Sequence, residues 1–84
     1  MTLDQTAIKQ ITSECKDQNK KPSLRIRLNN NVVEFHYDSC SDMHYGGCFA
    51  YTTSGVTVSA PADCEHLVTG RTLYYNTDQG FQLL

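Results

Sequence analysis

Apolar positions change their period several times along the chain, and each change marks an element. Leu3, Ala7, Ile8, Ile11 and Cys15 recur at helical spacing, with Asp4, Lys9, Gln10, Glu14 and Lys16 on the other side. That spacing predicts one amphipathic helix from Asp4 to Gln18. Asp4 or Thr2 is suited to cap its start, and Thr2 with Gln5 fits a capping box. Cys15 extends the apolar stripe and reads as a small core residue. Asn19-Lys20-Lys21-Pro22 ends the helix, because the residue before a proline avoids helical angles and the ring cannot continue the ladder.

The period then falls to two. Leu24-Arg25-Ile26-Arg27-Leu28 sets three aliphatic residues on one face and two arginines on the other, as a half-buried strand does. Asn29-Asn30-Asn31 supplies a turn, since Asn tolerates left-handed angles. Val32 to Tyr37 returns as a second strand of an antiparallel hairpin, with Val33, Phe35 and Tyr37 inward and Glu34 and His36 outward. Phe49 to Thr52 and Val56 to Ala60 are two further strands around the turn Ser54-Gly55. Pro61 opens a short helical stretch from Ala62 to Val68, closed by Gly70. Leu73 to Tyr75 and Phe81 to Leu83 are short strands around Thr77-Asp78-Gln79-Gly80. One helix followed by about six short strands predicts an α+β fold, mainly β, with a small, strongly bent sheet or partial barrel.

Eighty-four residues make a single domain, residues 1–84, with a small core and modest stability. The formal net charge is −2, and Lys and Arg are scattered except at Lys20-Lys21. A nucleic-acid binder needs a clustered basic face, so nucleic acid is not an expected partner. Met1-Thr2-Leu3-Asp4 shows neither a basic nor an apolar leader region, and no apolar run approaches a membrane span. These features predict a cytoplasmic protein with no membrane partner. In that compartment the four cysteines are expected as thiols or metal ligands.

The segment from Asp38 to Cys48 concentrates the candidate chemistry: Cys40, His44 and Cys48, spaced C-x3-H-x3-C, together with Gly46-Gly47. Closed zinc sites present paired ligands such as C-x2-C, and that pairing is missing. If Cys40 and Cys48 flank a bend they converge as a looser metal or cluster site, with His44 or Cys64 to complete a ligand set. The other reading makes them incidental thiols. A Cys40–Cys48 disulfide needs Cα atoms within about 7 Å and is disfavoured in a reducing compartment. No spacing joins a cysteine nucleophile to a histidine base and an orienting Asp or Asn, so the chain is not expected to be an enzyme. His36 and His66 read as solvated surface residues. Arg25 and Arg27 opposite Glu34 read as surface ion pairs. Tyr74 and Tyr75 are expected to divide between surface and core.

The order of segments resembles the HesB/IscA-like, or A-type, iron–sulfur assembly family. Thr2 to Ala7 and on to Ile11 is similar to its opening T-x-x-A-x-x-x-I helix, and Leu24-Arg25-Ile26 to its L-R-I/L strand. Ser39-Cys40-Ser41-Asp42-Met43-His44-Tyr45 resembles its G-C-S-G-M-x-Y segment. Gly55-Val56-Thr57-Val58, Leu67 to Tyr75 and Gly80-Phe81-Gln82-Leu83 resemble later family segments. Ser39 and Asp42 replace both glycines around the first cysteine, and the family's C-terminal C-x-C has no counterpart, so Cys40 alone maps onto a family ligand. The resemblance implies a flattened pseudo-barrel of short strands against the N-terminal helix. It also implies iron or a 2Fe–2S cluster bound through Cys40, with Cys48 as the neighbouring ligand. A homodimer would gather four ligands, and the cluster would pass to iron–sulfur acceptor proteins. The second expectation is a metal-free, non-catalytic binding or structural domain on the same scaffold.

Overall fold

The structure, a computed structural model, describes residues 1–38 and 47–84. Helix α1 runs Gln5–Asp17 and buries Ala7, Ile11 and Cys15. Asp4 is its N-cap: the Thr6 backbone N–H donates to Asp4 Oδ2 at 3.0 Å. The capping box expected at Thr2 does not form. Thr2–Leu3 is instead a short strand, β1. The helix stops before Pro22 exerts any effect. Asn19 takes φ +56°, Lys20 N–H donates to Cys15 C=O at 2.8 Å, and Asn19 N–H donates to Lys16 C=O at 3.0 Å. Those two bonds are a Schellman closure, with asparagine in the left-handed position usually held by glycine.

The remaining elements are β2 (Ser23–Asn29), β3 (Val32–His36), β4 (Cys48–Thr53), β5 (Val56–Pro61), a 3₁₀ turn (Ala62–Cys64), α2 (Glu65–Val68), β6 (Thr72–Asn76) and β7 (Gly80–Leu83). They form two sheets, one in the order β3-β2-β5-β4 and one in the order β1-β6-β7. The class is α+β and mainly β, with the N-terminal helix packed on short strands. The two sheets stay separate among the described residues.

Three antiparallel hairpins, β2–β3, β4–β5 and β6–β7, account for the local pairings. Asn30 and Asn31 both take positive φ, 51° and 65°, which a two-residue hairpin turn of matching twist requires. Two parallel pairings then assemble the hairpins. β2 lies beside β5 with Leu24 opposite Val58, and β1 beside β6 with Leu3 opposite Leu73. As a result β5 is flanked on both sides, and Val56, Val58, Ser59 and Ala60 are all buried in it. The core gathers Leu24, Ile26, Val56, Val58 and Leu73 against Ala7, Ile11 and Cys15 of α1. Each fully buried Leu or Ile there contributes about 1.5–3 kcal/mol relative to an exposed one.

Aromatic contacts join the sheets beyond the aliphatic core. The ring of Phe81 on β7 lies 4.9 Å from Tyr75, 5.5 Å from Phe35 and 5.9 Å from Tyr37, centroid to centroid. Tyr37 is half-buried, and the amide of Gln10 on α1 donates to its hydroxyl at 3.3 Å. Phe81 therefore connects β7 of the small sheet to the β3 side of the large one. Tyr75 is half-buried and Tyr74 exposed, dividing as expected. No helix among the described residues is long and apolar enough to cross a membrane.

Candidate metal or cluster site

Of the two expected ligands, Cys40 lies outside the described residues, as does His44. Cys48 is the first residue of β4, opposite Pro61 on β5, and is exposed. Gly47 leads into it at φ +78°, a backbone conformation that would strain any residue with a Cβ. The Ala62 N–H donates to the Gly47 carbonyl at 3.2 Å, which fixes the start of β4 against the 3₁₀ turn. The position of Cys48 is therefore set by backbone on both sides. Its sulfur is disulfide-bonded, contrary to the thiol expected from a reducing compartment.

The other two cysteines are free thiols inside the core. Cys15 is fully buried on α1, and its Sγ–H donates to the Ser23 carbonyl at 3.6 Å. Cys64 ends the 3₁₀ turn only three residues after the register partner of Cys48, yet its side chain turns inward and is 4% exposed. Burial pushes its thiol above the ordinary range, the nearby Asp63 carboxylate adds to this, and the Leu28 backbone N–H opposes it. A thiol that resists ionisation is a poor nucleophile and a poor ligand, because the thiolate does both jobs. Cys64 is thus a protonated core thiol in this fold.

The described histidines and charged residues sort as surface groups. His66 is exposed on α2. His36 Nε2 lies 3.4 Å from Glu34 Oε1, with both side chains substantially solvated. Arg27 Nε stands 3.8 Å from Glu34 Oε1 across the hairpin, as expected. Arg25 does not share Glu34. It pairs with Asp38 instead. Among the described residues no group of three or more His, Cys, Asp or Glu side chains could hold a metal ion.

Sequence reasoning missed an apolar groove of about 390 Å³, lined by no described cysteine, where Val33 and Phe35 of β3 meet Phe81 and Leu83 of β7. Alternation marks all four as inward-facing. It carries no signal that β3 and β7 are sheet edges.

No protein-family model matches the chain. No curated protein matches it in sequence. Among solved structures, it is similar to the solution NMR structure of a protein from Aquifex aeolicus, determined as a structural-genomics target, with a TM-score of 0.70 and 18% identity. The alignment covers 100% of this chain and 89% of that one. The likeness establishes a shared fold and, at that identity, nothing about chemistry.

Proposed function

We propose that the chain is a HesB/IscA-like carrier that binds iron or a 2Fe–2S cluster as cargo through reduced Cys40 and Cys48, for delivery to iron–sulfur acceptor proteins. The observation that carries this reading is the division of the cysteines. Cys15 and Cys64 are sealed in the core, whereas Cys48 is exposed on a backbone-fixed strand start. Two thiolates per chain suit soft iron or cluster cargo and call for a homodimer to supply four. The segment order of the HesB-like pseudo-barrel gives Cys40 the same role. The cargo site requires Cys48 as a thiolate, so binding is conditional on reduction.

That condition also favours the second reading, a metal-free binding domain, because a sulfur held in a disulfide cannot ligate a metal. One experiment separates them. The chain is reduced, reconstituted anaerobically with iron and sulfide, and assayed for visible absorbance and labile sulfide. Carriage of a cluster predicts colour that Cys40→Ala or Cys48→Ala abolishes and Cys15→Ala leaves intact. A colourless, iron-free reduced protein would establish the metal-free reading.

A further inference from the structure

The β3–β7 groove has the features of a strand-addition site. In the β2–β3 hairpin, the two-residue turn makes Asn29 and Val32 the closing hydrogen-bonded pair. Alternation along an antiparallel ladder then puts Leu28 opposite Val33, and Ile26 opposite Phe35, in non-bonded positions. The Leu28 N–H agrees, since it is turned away from β3 toward the Cys64 sulfur. The N–H and C=O groups of Val33 and Phe35 consequently point outward from a sheet edge that no described strand covers. β7 has the same arrangement. Thr72 and Leu84 exchange both backbone bonds, at 2.9 and 3.0 Å, so the backbone groups of Phe81 and Leu83 face the outer edge of that sheet. All four residues therefore combine a groove-lining apolar side chain with outward backbone groups.

The charge at this groove selects the occupant. Arg71 lines it and makes no ion pair among the described residues. A second copy of the chain is a poor fit. The antiparallel register that pairs the whole of β3 with itself sets Glu34 directly opposite its own copy, and like charges so placed are destabilising. We infer that the groove receives an extended peptide segment of a partner protein, added as a strand along β3. Its apolar side chains would enter the groove at alternate positions, and a carboxylate would sit on Arg71. In this mode main-chain bonds supply affinity and alternate side chains supply specificity.

The test uses the full chain, without iron, and a synthetic C-terminally amidated heptapeptide of alternating valine and threonine ending in aspartate, with an amidated asparagine-ended control. The aspartate peptide should bind about tenfold more tightly than the control, as expected for one charge-assisted contact. Arg71→Glu, at an exposed position, should remove that preference without altering the circular dichroism spectrum. Bound peptide should slow amide exchange at Val33 and Phe35. The proposal is overturned if neither peptide binds, if binding leaves those two amides unprotected, or if sedimentation shows a dimer that Val33→Asp disrupts. Cys40 and Cys48 take no part in the assay, so this result and the reconstitution result stand or fall separately.

Discussion

Arg25 grips Asp38 at two points, with Nε 2.6 Å from Oδ1 and Nη2 3.2 Å from Oδ2. This fork spans the hairpin from β2 to the residue just beyond the end of β3. It also fixes the last described position before the segment that carries Cys40. Both side chains are partly solvated, at 26% and 49% exposure, so the pair belongs to the weak class despite its geometry. Asp38→Asn should lower unfolding free energy by about 0.5–1 kcal/mol, and the loss should shrink as salt rises. Urea titrations at low and high salt measure both effects.

The N-cap sets a pH dependence for α1. Bonds from the Thr6 hydroxyl and backbone N–H hold the Asp4 carboxyl below its ordinary range. A group whose folded pKa is depressed contributes stability that is present above its unfolded pKa and is lost as pH falls through the folded one. Helix content and Thr6 amide protection should therefore decline at acid pH, at values below the usual aspartate titration. Asp4→Asn keeps the cap without an ionisable group. Its circular dichroism should lack that particular acid limb.

Cys64 sets the opposite limb. Its thiol is raised by burial, so between the ordinary thiol pKa and the folded one the unfolded chain ionises while the native chain does not. Stability should accordingly fall as pH rises above roughly 8.5. Cys64→Ala should flatten that decline, at a constant cost of about 1 kcal/mol for the lost packing. Thiol labelling of the native protein at neutral pH should spare Cys15 and Cys64, and unfolding should expose both.

Much of this fold is legible in the sequence because period and turn chemistry are local. Every hairpin, the α1 stripe and the helical stretch after Pro61 follow from residues a few positions apart. The parallel pairings are not local. Val56 to Ala60 alternates the same way whether β2 or solvent lies beside it, so nothing in that run announces a central strand. Thr2 and Leu3 form too short a segment for any period, and only pairing with Thr72 and Leu73 makes them a strand. The candidate site was half legible. Core assignment of Cys15 follows from helical spacing, whereas the inward turn of Cys64 depends on packing beneath β2 that no spacing encodes.

Phe81 is the position where the two sheets should prove most sensitive to substitution. It touches three rings from both sheets, and removing it leaves a void bordered by Phe35, Tyr37 and Tyr75. Phe81→Ala should cost about 2–4 kcal/mol, and Phe81→Leu clearly less. Denaturant unfolding with both variants checks this. A loss below about 0.5 kcal/mol for alanine would show that the sheets are joined elsewhere.

The parallel pairing of β1 with β6 bears on how the chain is made as well as how it rests. Thr2 and Leu3 find their partners only at Thr72 and Leu73, and β7 pairs beyond them. On a ribosome α1 can coil early and meet β2 and β5 as they emerge, yet the β6 side of its apolar face waits for residues 72–76. The nascent domain thus covers Ala7, Ile11 and Cys15 only in part until Leu73 arrives. A pairing between residues so far apart in sequence forms late and slowly.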